Sequence, residues 1–234
     1  MIYKQVSQNN ISLEFHLRRL YIIVTETGIY ILRDFHTHIA GERGYPFIFS
    51  GMKPDEAQIV SFQQHPWYLP DVFEFDAGKF AEILQNFAAL GEVGLDKVHG
   101  APADVQEKFL DAMLQVAAEL DKPVIFHCVK FLPEVMAKVR YYRLRRVLYH
   151  GFRGSPAALD MLWRAGWMVS FHKDICRNGR LLEALKNPGG DFGFESDDDA
   201  ACDLPEVVTL AMRNSGNMDL EKAADTAFEE FING

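Results

Sequence analysis

A chain of 234 residues is long enough for one large core, which suits a single β/α barrel as well as two small domains. With 48% hydrophobic and 24% charged residues and only 10 prolines, it is not a disordered, collagenous or repeat-built protein. Lys and Arg number 24 against 33 Asp and Glu, a net charge of −9, which excludes an extended basic face for gripping long nucleic acid.

Cys128, Cys176 and Cys202 are odd in number and lack zinc-ribbon spacing, the usage of reduced thiols in a cytoplasmic protein. The most apolar early run, 20–24, is far too short for a membrane span or a signal-peptide core. The expectation is a soluble, unexported chain with no membrane partner.

Residues 1–29 mix polar and apolar positions without a sustained period, so they read as an N-terminal extension, either a hairpin turning around 26–28 or a docked arm. Eight short β-rich runs follow, at 30–35, 45–50, 58–63, 88–93, 123–127, 146–150, 167–171 and 191–195. Helical periodicity fills the later gaps: 76–87, 103–120, 132–142, 156–165, 181–185 and 204–212, with 220–231 as a closing helix. Strands alternating with helices imply a parallel sheet, and eight of them a closed (β/α)8 barrel over 30–234. The first two gaps, around 40–44 and 51–54, are short and rich in Gly and Pro, so the barrel is expected to be trimmed around strands one to three.

On that map six metal-capable residues fall at the carboxyl ends of strands: His36 and His38 after the first, Glu92 after the fourth, His127 after the fifth, His150 after the sixth and Asp197 after the eighth. In a parallel barrel those ends converge on one face, where barrel enzymes place their chemistry. Imidazole nitrogens and carboxylate oxygens suit zinc, manganese or magnesium, and carboxylates can bridge two such ions. His36 and His38 alternate at strand period, so both rings point the same way. Taken alone, His127 is more often a hydrogen-bonded core histidine and Glu92 a paired core carboxylate. Six together at strand ends make a site for two divalent ions.

The residues that carry this pattern stand as Asp34-Phe35-His36-Thr37-His38, His65-Pro66-Trp67, Gly91-Glu92-Val93-Gly94-Leu95-Asp96, Pro123-Val124-Ile125-Phe126-His127-Cys128, His150-Gly151-Phe152 and Glu195-Ser196-Asp197. In this order they resemble the TatD-like metal-dependent hydrolases, within the wider amidohydrolase-type barrels. The resemblance implies a (β/α)8 barrel, divalent metals and phosphodiester hydrolysis of the nuclease kind. It implies that His36, His38 and Asp197 hold one ion, that His127 and His150 hold the other, and that Glu92 bridges them. Three features depart from the family pattern. Ser196 stands where Thr is usual, Val129 followed by Lys130 stands where an Arg is common, and the interval from His38 to His65 is short, as in a compact member.

Further residues are placed to meet substrate. His65, with Trp67 and Tyr68, follows the third strand, where aromatic faces could stack on flat groups or simply pack a rim loop. Lys130 and Arg153 follow strands five and six closely enough to meet a phosphate oxygen, although such side chains are more often just solvated. His172 is the counterpart after strand seven. Cys128 reads as a small buried residue rather than a nucleophile, and Ser196 lacks a nucleophile-elbow motif.

The functional expectation is a metal-dependent phosphodiesterase of deoxyribonuclease type, with Asp197 and Glu92 catalytic. Its substrate would be a small molecule or a short single strand. The alternative keeps the two ions but breaks an amide, lactone or ester in a small molecule. A third reading is an idle, metal-binding barrel, which the full ligand complement disfavours. Nothing in the sequence reads as an oligomer signal.

Overall fold

The structure is a computed structural model and describes residues 13–17, 20–25, 28–39, 47–51, 53 and 59–234, with side chains from residue 32 onward. The expected turn at 26–27 and most of the two short gaps at 40–44 and 51–54 lie outside these residues.

Eight parallel strands form the central sheet: β4 (Asp34–Thr37), β5 (Phe47–Gly51), β6 (Ile59–Phe62), β7 (Ala89–Asp96), β8 (Val124–Val129), β9 (Val147–Tyr149), β10 (Met168–Phe171) and β11 (Phe192–Phe194). They pair in chain order, and Thr37 meets Asp197 in a parallel bridge that joins the last strand's end to the first. That closure is carried by His38 N–H donating to Asp197 O and Asp197 N–H donating to His36 O, both at 3.0 Å. The expected (β/α)8 barrel is therefore present. Every residue of β7, β10 and β11 is buried, as strands covered on both faces must be.

The helices are α1 (Ala77–Leu84), α2 (Ala103–Glu119), α3 (Leu132–Tyr142), α4 (Pro156–Arg164), α5 (Gly179–Lys186), α6 (Leu204–Ser215) and α7 (Leu220–Asn233). Each buries a mainly apolar face; on α2, which packs on β7, the buried set includes Phe109, Leu110, Met113, Leu114 and Ala117. Their starts follow capping chemistry: Asp76 accepts from Lys79 N–H, Ser155 from Ala158 N–H and Asp203 from Glu206 N–H. The last helix seals the first barrel strand. Phe35 of β4 meets Phe228 of α7 edge-on with centroids 5.2 Å apart, and Arg33 reaches Asp225 at 2.6 Å and Glu229 at 2.5 Å. Burying each ring contributes about 2–3 kcal/mol by area removed from water.

Three strand boundaries move. The run 30–35 is not one strand: β3 (Gly28–Ile31) pairs antiparallel with β2 (Leu20–Thr25), which pairs with β1 (Leu13–Leu17), and the barrel strand begins only at Asp34. Leu32 and Arg33, outside both strands, separate what a continuous apolar run had joined. Strands four and five also run further than expected. Pairs Gly94↔His127, Leu95↔Cys128 and Asp96↔Val129 extend β7 and β8, so Glu92 and His127 lie within their strands. Polar residues facing a barrel mouth resemble a strand end in sequence, because inward-facing carboxylates interrupt the apolar run.

Candidate metal centre

Glu92 on β7 is the hub, 2% exposed and ringed by imidazoles. Its Oε1 lies 2.6 Å from His150 Nε2, 2.7 Å from His127 Nδ1 and 3.2 Å from His65 Nε2. Its Oε2 lies 2.9 Å from His38 Nε2 and 3.3 Å from His36 Nε2. Asp197 Oδ1 stands 3.8 Å from the Nε2 atoms of both His36 and His38. The structure thus brings together all six residues singled out as ligands, and His65 with them. Asp197 reaches its place because the backbone turns at once after β11 into the left-handed region, φ +53°, which Asp tolerates better than most residues.

The charge balance of this cluster calls for cations. Burial would lower the pKa of His150, yet Glu92 and Glu195 beside it hold it well above the usual histidine range. Burial would raise Glu92, yet His150 and the ring N–H groups of His127 and His36 hold it well below the usual carboxylate range. Glu195 is lowered as well: its burial is outweighed by His150, His36 and the Ser170 hydroxyl. Three carboxylates therefore share one small volume, and no Lys or Arg is among the described residues lining it. Overlapping sets of ligand atoms, such as His36–His38–Asp197 and His36–Glu92–His150, lie close enough together to hold an ion. Donor type, burial and the overlapping ligand sets all fit divalent metal.

His65 differs from the other histidines. Trp67 backbone N–H donates to its Nδ1 at 3.2 Å, so the neutral ring carries its proton on Nε2 and donates toward Glu92. That makes it a hydrogen-bonding neighbour of the carboxylate, although spacing alone would allow it into a ligand set with Glu92 and His127.

The mouth opens as a cavity of about 400 Å³ lined by Trp67, Tyr68, Gln63, Asp198 and the cluster itself. Trp67 is 43% and Tyr68 73% exposed, so both present free ring surface. Lys130, Arg153 and His172 are not among the lining residues. Arg153 pairs instead with Asp174 at 3.1 Å, Lys130 is exposed, and His172 is buried with Nε2 3.8 Å from Asp199 Oδ2. Cys128 is buried, which pushes its thiol up to about 12 and agrees with a packing role.

Four supporting residues carried no role in the sequence reading. Glu195 Oε1 faces His150 Nδ1 at 3.3 Å and its other oxygen accepts from Ser170. Ser50 Oγ lies 3.1 Å from His36 Nδ1. Asp96 Oδ2 lies 3.1 Å from His127 Nε2. Asp96 was open to detection, since it stands four residues after Glu92 in one strand and shares its face. Ser50 and Ser170 belong to other strands, and no spacing reveals them.

Fold and cluster together define a (β/α)8 barrel with a histidine–carboxylate centre at its mouth. The chain belongs to the TatD-related DNase family, whose pattern matches residues 55–197. It is 29% identical over 170 residues to a 3'-5' ssDNA/RNA exonuclease TatD of Musicola paradisiaca, covering 70% of this chain and 60% of that protein. It is 36% identical over 165 residues to the protein of the same name in Dickeya dadantii, covering 62% of each. The chain thus spans about three fifths of the length of these relatives. Among solved structures, YjjV, a TatD homologue from Escherichia coli, superposes with a TM-score of 0.71 at 17% identity, covering 87% of this chain and 98% of that one. A TatD-family hydrolase from Entamoeba histolytica gives 0.53 at 13% identity, covering 70% and 73%. At these identities the two structures speak for the fold. Among the described residues no helix is long and apolar enough to cross a membrane.

Proposed function

We propose that this protein is a divalent-metal-dependent hydrolase that cleaves phosphodiester bonds near the end of short single-stranded nucleic acid. The observation that carries the reading is the convergence of four ligand-type imidazoles and Asp197 on buried Glu92 in a barrel of this family. His36, His38 and Asp197 would hold one ion and His127 and His150 the other, with Glu92 between them; zinc, magnesium and manganese all suit such donors. Bound there, the ions would supply a hydroxide nucleophile near neutral pH and offset charge building on phosphoryl oxygens.

The chain's own groups do the rest. Asp197, 27% exposed at the edge of the cluster, faces the cavity and can orient an attacking water and accept its proton. His65 Nε2–H steadies Glu92, and Trp67 and Tyr68 offer faces on which a base can stack. A cavity of about 400 Å³ with no Lys or Arg among its described lining residues suits a strand terminus better than a long duplex track. Three cysteines, odd in number and without zinc-ribbon spacing, support a cytoplasmic location.

The test is metal analysis of the purified protein followed by an activity panel. Single-stranded DNA and RNA, a simple phosphodiester, and small amides and lactones are offered to wild type and Glu92→Ala. We expect bound divalent metal, shortening of single strands that a chelator abolishes, and loss of both in the variant. Metal-loaded protein that cleaves only lactones or amides would move the reading to a small-molecule hydrolase.

A further inference from the structure

Trp67 begins and ends a directed chain of hydrogen bonds through two histidines of the centre. Its backbone N–H donates to His65 Nδ1 at 3.2 Å, which leaves the His65 proton on Nε2. That Nε2 faces its acceptor Glu92 Oε1 at 3.2 Å and lies 3.2 Å from His127 Nδ1. The far nitrogen of His127, Nε2, lies 3.1 Å from Asp96 Oδ2, and the same oxygen accepts the Trp67 indole N–H at 2.6 Å. A backbone amide and an indole only donate, and an ionised carboxylate only accepts. Asp96 Oδ2, which can only accept, therefore takes a proton from His127 Nε2 as well as from the indole, while His127 Nδ1 faces Glu92 Oε1 at 2.7 Å.

Asp96 is held as an anchor should be. Its side chain is 1% exposed. Its second oxygen, Oδ1, accepts from Val98 N–H at 2.7 Å and His99 N–H at 3.1 Å. Its backbone is clamped by buried Gln106 of α2, whose Oε1 accepts from Asp96 N–H at 2.8 Å and whose Nε2 donates to Asp96 O at 3.0 Å.

We infer that Asp96 is a positioning residue of this centre: one carboxylate oxygen takes both the His127 Nε2 proton and the Trp67 indole proton. It thereby sets the His127 ring with Nδ1 facing Glu92 and ties the stacking wall of the mouth to the same anchor. Histidines that ligate metals commonly give their second N–H to such a partner, and losing it costs about 10- to 100-fold in affinity. The affinity consequence rests on the metal-centre reading; the Nε2–H contact with Asp96 does not.

The experiment uses the full chain, its Asp96→Asn variant and its Trp67→Phe variant. In Asp96→Asn the carbonyl can still cap Val98 and His99, but an NH2 group now meets two N–H donors, so His127 has to give up its Nε2 proton and be protonated on Nδ1 alone, facing Glu92. Nitrogen-15 spectra of labelled histidines in metal-free protein report the tautomer, and calorimetry with Zn²⁺ and with Mn²⁺ reports affinity. Wild type should show His127 protonated on Nε2. Asp96→Asn should show it on Nδ1 and bind at least one ion equivalent about 10- to 100-fold more weakly. Trp67→Phe should keep the tautomer and the affinity, and raise KM for a single-stranded oligonucleotide more than it lowers kcat. Wild-type His127 without a proton on Nε2 overturns the inference without need of any variant, and so does an Asp96→Asn protein that keeps the Nε2 proton and the affinity. A wild-type chain that binds neither ion would sink the metal-centre reading and the affinity arm with it, while the spectra would still decide the Asp96 contact.

Discussion

Asp197 is the carboxylate of the cluster with most access to the cavity, and its two neighbours at 3.8 Å are both imidazoles. A water-orienting base acts mainly in the transition state, so Asp197→Asn should lower kcat by about 100-fold or more with little change in folding. Single-turnover kinetics on metal-loaded protein check this, and near-normal turnover would pass the role to Asp198, which also lines the cavity. His36, His38, Glu92, His127, His150 and Asp197 were legible because strand period and strand order place them without knowledge of any contact. Asp96, Glu195 and Ser50 act through hydrogen bonds across strands, which residue spacing does not encode. Lys130 and Arg153 failed to reach the cavity for a related reason: a long side chain next to a strand end can turn to a surface partner, as Arg153 does to Asp174.

At the scale of elements, the closest backbone approach lies where β7 and β8 run past their expected ends. Gly94 has φ +155°, and a Cβ there would sit 1.8 Å from the carbonyl oxygen of His127 and 2.8 Å from its carbonyl carbon. Those atoms belong to a paired strand and cannot yield without breaking the register Gly94↔His127. Gly94→Ala should therefore cost more than about 3 kcal/mol in urea unfolding, through both the backbone conformation and the clash. A loss below about 0.5 kcal/mol would show that β7 and β8 can separate here. The same pair explains what the sequence reading of the elements missed. All eight barrel strands and seven helices followed from periodicity, because burial dictates it, but the ends of β4, β7 and β8 depend on pairing partners remote in sequence. The split at Leu32–Arg33 is set by the neighbouring three-stranded sheet and by the Arg33 clamp on α7.

For the molecule as a whole, the closing helix carries a built-in dependence on pH. The buried face of α7 consists of Leu220, Ala224, Ala227, Phe228 and Phe231, and among them Glu221 is 3% exposed. Neither of its carboxylate oxygens has a hydrogen-bond partner among the described residues. Burial, and then the charge of Asp225 one turn on, push its pKa from 4.5 up to about 8. A folded-state pKa above the unfolded one means that the folded chain binds the extra proton between these two values. Stability is therefore fully present below about pH 4.5, falls as pH rises through the window, and levels off above about pH 8. A shift of this size is worth on the order of 4 kcal/mol. Glu221→Gln keeps the shape and removes the charge, so its Tm should exceed that of wild type by several degrees at about pH 8.5 and match it at about pH 5. Thermal unfolding at the two pH values, in metal-free protein so that the mouth of the barrel does not contribute, checks this. An equal Tm difference at both would mean that the carboxylate finds a partner or water in solution, and that α7 seals the barrel without a proton's help.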